Sequence, residues 1–118
     1  MHFEKNCTYH VYNRSIKLIF KEKSNYLFFL KKIRNHILPY ADVLAYCLMP
    51  NHFHLMINVR ENSVIITNEL HRPSTQELSK QIGLMLSSYT QALNKKSDSS
   101  SSVLNFFKIR HLKILLVS

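Results

Sequence analysis

Residues 52–59 alternate without a break. Phe53, Leu55, Ile57 and Val59 are apolar, and His52, His54, Met56 and Asn58 between them are more polar. Successive side chains of a strand point to opposite faces. The segment therefore predicts a strand with one covered face and one open face, and it puts two imidazoles side by side on the open one. The apolar run at 42–49 precedes it and suits a strand buried on both faces. Pro50-Asn51 between the two runs reads as the turn of a hairpin.

The other elements are read in the same way. Residues 8–13 are β-rich, and Asn13-Arg14-Ser15 breaks the run. Residues 21–38 carry Leu27, Leu30, Ile33 and Ile37 at helical spacing, with Lys31, Lys32 and Arg34 on the other side. Pro39 stops that helix. Residues 60–73 read as a loop, with a brief extended piece at Val64-Ile65-Ile66. Ser74-Thr75-Gln76-Glu77 fits a capping box. The helix behind it carries Leu78, Ile82, Met85, Leu86, Tyr89 and Leu93 on one stripe and ends near Lys95-Lys96. Residues 97–102 are almost all serine and read as a connection. Residues 103–117 are apolar and basic and supply material for one last strand.

The single glycine among 118 residues favours long elements over a many-stranded sandwich. The order β-α-β-β-α-(β) predicts an α+β, ferredoxin-like fold, an antiparallel sheet with both helices on one face. Residues 1–96 form one domain in this reading, and residues 97–118 are a divergent tail, disordered or partly stranded. The helices cover the Phe53, Leu55 and Ile57 side. Tyr9 and Val11 share that side, which leaves His10 with Thr8 and Tyr12 on the open face. The first and third strands are neighbours in this topology, so His10 is expected close to the histidine pair.

Charge narrows the partners. A formal charge of +9 and a pI of about 9.8 attract polyanions, of which nucleic acid is the commonest. A hydrophobic fraction of 46% excludes a disordered chain. Cys7 and Cys47 lie in strand-like runs, and Met1-His2-Phe3-Glu4-Lys5 lacks the apolar core of a signal peptide. Reduced core thiols in a cytoplasmic protein are expected, with no membrane partner, since no run has the length of a span.

The stretches Tyr9-His10-Val11-Tyr12-Asn13-Arg14, Tyr26-Leu27-Phe28-Phe29-Leu30 and Met49-Pro50-Asn51-His52-Phe53-His54 resemble the REP-associated tyrosine transposases, small single-strand transposases of the HUH (His-hydrophobic-His) class. The resemblance runs over roughly residues 8–96 and includes Ser87-Ser88-Tyr89-Thr90. It implies that His52 and His54 hold a divalent metal, Mg or Mn, which polarises a scissile phosphate. It also implies a tyrosine oxygen that attacks phosphorus and leaves a 5′-phosphotyrosine, on single-stranded or hairpin DNA. Members act as monomers or homodimers according to subgroup.

The nucleophile is where the chain departs from that pattern. It is expected on a helix after the last strand, yet no tyrosine follows Tyr89. A truncated or frameshifted transposase copy would read this way. The alternative is a catalytically inactive module that binds single-stranded or hairpin DNA. Tyr89 is a weak substitute nucleophile, because its stripe position suits the core. His10, Asn13, Arg14, Lys95 and Lys96 are candidate DNA contacts. For the two terminal lysines, as for Lys108, Arg110 and Lys113, a plain solvated face competes equally. An RNA-binding relative would offer aromatics on the open face for stacking; with His10, Tyr12, His52 and His54 there, ligand chemistry fits better.

Overall fold

A computed structural model describes residues 3–60, 77–97 and 112–118. Six elements follow in order: β1 (Thr8–Arg14), α1 (Lys23–His36), β2 (Ala41–Met49), β3 (His52–Val59), α2 (Glu77–Ser97) and β4 (Lys113–Leu116). The strands form one sheet in the order β2-β3-β1-β4, with every neighbouring pair antiparallel. This is the expected α+β, ferredoxin-like arrangement. The extended piece at 64–66, most of the capping box at 74–76 and the basic stretch at 98–111 lie outside the described residues.

The alternation in β3 works out as its sequence demands. Phe53, Leu55, Ile57 and Val59 are buried, whereas His52, His54, Met56 and Asn58 are half-buried on the other face. Tyr9 and Val11 of β1 join the buried set. Phe29, Ile33 and Ile37 come from α1 and its C-cap, and Leu78, Ile82, Met85, Leu86 and Tyr89 come from α2. Both helices thus pack on the same face of the sheet, and the core lies between. Phe3, Ile19 and Phe20, which belong to no element, complete it.

The α1 stripe differs from the expected one. Leu27 is 56% exposed, and the inward face is Tyr26, Phe29, Leu30 and Ile33. The larger ring of Phe29 meets Phe53 of β3 at 5.2 Å between centroids, which fixes the rotation of the helix. The helix starts two residues later than expected, because Asn25 Oδ1 accepts from the backbone amides of Lys21 and Glu22, both at 2.9 Å, and holds them outside the first turn.

Three further expectations are corrected. β2 is an edge strand and is largely exposed, with Leu44 and Tyr46 each at 56%. A continuous apolar run reads as doubly buried only where both faces of a sheet are covered, and here the helices cover one. Leu44 is also an extra residue between Val43, which pairs with Ile57, and Ala45, which pairs with Met56. The cysteines are free, but they are not both core thiols. Cys7 is half-buried, and Cys47 is exposed on the open face opposite His54. β1 also runs one residue further than expected, because Arg14 pairs with His52.

Candidate functional site

The β2–β3 turn is laced to the chain that leaves β1. Ser15 N donates to Asn51 O at 2.8 Å, and the amides of Ile19 and Phe20 donate to Pro50 O at 2.7 and 3.1 Å. This fixes Asn51, whose Oδ1 lies 2.8 Å from His52 Nδ1. A carbonyl oxygen can only accept, so Nδ1 of His52 carries the proton. Its Nε2 then keeps a lone pair in the neutral ring.

Two residues on, His54 Nδ1 lies 2.8 Å from His10 Nε2. His10 lies beside the pair, as expected, because β1 and β3 are neighbours and Tyr12 sits directly across from His54. One imidazole of the His10–His54 contact must donate and the other accept. The protonated form of His54 is disfavoured: its pKa is held below the ordinary imidazole value, first by burial, then by His10, His52 and Arg14.

Four rings gather here. His10 and Tyr12 are stacked at 4.8 Å, His10 and His54 at 5.1 Å, and Tyr12 and His54 at 5.4 Å, while His52 stands edge-on to His54 at 5.2 Å. Beside them opens a groove of about 540 Å³ lined by Tyr12, Arg14, Ser15, Ile16, Asn51, His52, His54 and Lys113. Among the described residues the lining contains two fixed cations and no carboxylate.

The donor set for a metal is incomplete. Among the described residues no group of three or more His, Cys, Asp or Glu is placed to hold an ion. His52 and His54 offer two imidazoles, and a hard cation such as Mg or Mn takes most of its ligands from oxygen. The pair suits such an ion only as part of a set that a bound anion and water would complete.

The remaining candidates fall in different places. Arg14 is exposed and lines the groove. Asn13 does not join it: its side chain is fully buried on the helix side, where Oδ1 accepts from Arg14 N at 2.9 Å and Nδ2 has no partner among the described residues. Lys95 is exposed on α2, in the helix layer across the sheet from the groove. Lys96 belongs to the same helix, and its side chain is outside the described set. Tyr89 is fully buried and donates to Ile19 O at 2.7 Å. Burial, with Tyr26 nearby, pushes its hydroxyl pKa well above the usual phenol range.

Of the groove's lining, the sequence leaves Lys113 even between a DNA contact and a solvated face, and it singles out neither Asn51 nor Ile16 as a contact. Lys113 reaches it because β4 pairs with β1, with Lys113 opposite Tyr12. The alternation of 113–117 is too short to announce this register. Asn51 was legible only as a turn residue.

No protein-family model matches the chain, and no curated protein matches it in sequence. Among solved structures the chain is similar to that of a REP-associated tyrosine transposase bound to a REP hairpin, with a TM-score of 0.56 and 11% sequence identity. The match covers 100% of this chain and 60% of that one, so the chain spans about three fifths of its structural neighbour. At this identity the likeness is one of fold. Among the described residues no helix is long and apolar enough to cross a membrane.

Proposed function

We propose that this chain is a transposase-like DNA-binding protein of the HUH class that holds single-stranded or hairpin DNA on the open face of its sheet. The observation that carries the reading is the groove beside the histidine pair, where Arg14 and Lys113 supply positive charge and no carboxylate among the described residues opposes it. A phosphate entering there meets the charges of Arg14 and Lys113. The overall charge of +9 adds a long-range pull on any polyanion. Fold likeness to a transposase whose structure holds a REP hairpin supports the same kind of partner. Mg or Mn, bound through His52 and His54 together with phosphate oxygens, would polarise that phosphate.

The geometry favours binding over strand cleavage by this chain alone. Tyr89 has its hydroxyl committed to a backbone carbonyl on the covered side of the sheet. An in-line attack needs the oxygen within about 3–3.5 Å of phosphorus, and a hydroxyl buried on the other side of the sheet cannot supply that.

The test is anisotropy of a labelled hairpin and of a single-stranded oligonucleotide against the full chain, across a salt series. Binding should weaken with salt by a slope of about −0.7 in log K per phosphate neutralised on a single strand. A His52→Ala, His54→Ala double variant should bind less well and should lose the Mn-induced broadening of its histidine ring signals. A flat salt response would reject the DNA reading. On a denaturing gel with Mn, no covalent protein–DNA adduct is expected. An adduct lost in Tyr89→Phe or Tyr12→Phe would overturn the binding-only part.

A further inference from the structure

We infer that the groove holds one unstacked nucleotide: Tyr12 and Ile16 take its base, and Arg14 and Lys113 take the phosphates on either side. This rests on the DNA-binding reading above and adds to it the feature that separates unpaired from paired strands.

The sequence has six tyrosines. Tyr9 and Tyr89 are core residues, Tyr26 and Tyr40 pack against the core, and Tyr46 pairs with Leu55 on the covered side of the sheet. Tyr12 is the one that shares a face with His52 and His54. Its neighbours are His54 on β3 and Lys113 on β4, each directly across from it. Its ring is stacked against His10 and His54 at 4.8 and 5.4 Å. A ring ordered by its neighbours loses little rotamer freedom when a base settles against it.

Ile16 supplies the second observation. It is 91% exposed and lines the same groove. Single exposed aliphatic residues are ordinary on a surface. This one stands among cations, where a bare phosphate or a metal would gain nothing from it. A base or a sugar would gain apolar contact. Arg14 lies two residues along the strand from Tyr12, roughly 6.6 Å away. Lys113 lies across the strand pair at roughly 5 Å. Positive charge therefore flanks the ring in two directions, as a nucleotide with a phosphate on each side requires. Bases in a duplex are already stacked and cannot reach a ring at the floor of a groove, so the subsite selects single strands and hairpin loops. Base–aromatic stacking tolerates any base, so little sequence preference is expected at this position.

The experiment measures wild-type affinity for a short single-stranded oligonucleotide and for a set in which one base at a time is replaced by an abasic sugar. One position should weaken binding by about tenfold, the size expected of one lost base stack. Tyr12→Phe should keep that position-specific loss, and Tyr12→Leu, which keeps bulk on the sheet, should abolish it. Lys113→Ala should lower the magnitude of the salt slope by about 0.7. If wild type binds the intact strand but no abasic position matters, the nucleotide subsite is wrong while the DNA reading stands. If wild type does not bind the intact strand, both fall. Equal affinity of Tyr12→Leu, Lys113→Ala and wild type for the intact strand also overturns the subsite alone.

Discussion

The two faces of β1 and β3 are built from alternate residues of the same strands, and each carries a cluster of rings. On the covered face Phe20, Phe29 and Tyr89 meet at 5.0–5.7 Å, and Phe53 joins Phe29 at 5.2 Å. On the open face His10, Tyr12 and His54 meet at 4.8–5.4 Å. Spacing does not distinguish them. The covered rings are dry, and the one polar tip among these four, the Tyr89 hydroxyl, is tied to a backbone carbonyl. The open rings are half-buried and carry imidazole nitrogens beside a cationic groove. A ring cluster therefore says little about function until the fate of its polar atoms is known. One cluster holds the sheet to its helices, and the other is free to meet a ligand.

The sharpest way to break this division is to truncate one ring from each face. Phe29→Ala removes a fully buried ring that touches both Phe53 and Tyr89, and it should cost about 3–5 kcal/mol of stability. His52→Ala removes a half-buried ring whose one hydrogen bond among the described residues is to the adjacent Asn51, and it should cost less than about 1 kcal/mol. Urea unfolding followed by circular dichroism gives both numbers. Equal losses would mean that the open cluster is structural too.

A finer contrast uses the two tyrosines. Tyr89→Phe leaves the Ile19 carbonyl without the hydroxyl it accepts from, inside the core, and should cost about 1–3 kcal/mol. Ile19 also donates to Pro50 O, so part of the loss should be felt at the β2–β3 turn that positions His52. Amide exchange at Ile19 and Phe20 should quicken. Tyr12→Phe should leave both stability and exchange near wild type. A destabilised Tyr12→Phe would show that its hydroxyl serves the fold.

Much of this contrast was legible in the sequence. The alternation of 52–59 assigns each residue of β3 to its face, and the strand order places His10 against His54. The stripe of α2 puts Tyr89 in the core. What was not legible depends on distant partners. The apolar run of β2 reads as doubly buried, but its place at the edge of a one-sided sheet is a property of topology. Asn13 looks like a turn residue because asparagine favours turns, yet its pairing with Phe53 carries it inward. Lys113 enters the groove only through the register of a four-residue strand.

The smallest expected effect is on the pH dependence of folding, and here each face has its own limit. His54 resists protonation in the folded chain, with burial the first cause. The unfolded chain binds a proton at that ring more readily, so stability falls as pH drops through the ordinary imidazole value of 6.5. The test is a difference between wild type and a variant. His54→Gln should make the acid limb shallower and leave the alkaline limb alone. Tyr89 behaves in the opposite sense. Burial raises its pKa above the ordinary 10.0, so the unfolded chain releases that proton first, and stability falls as pH rises past 10.0. Tyr89→Phe should flatten the alkaline limb and leave the acid one alone. Thermal midpoints measured from pH 5 to 11 for the three proteins separate the two. If His54→Gln altered the alkaline limb, or Tyr89→Phe the acid one, the faces would be coupled through the strands they share, and the division of labour between them would not hold.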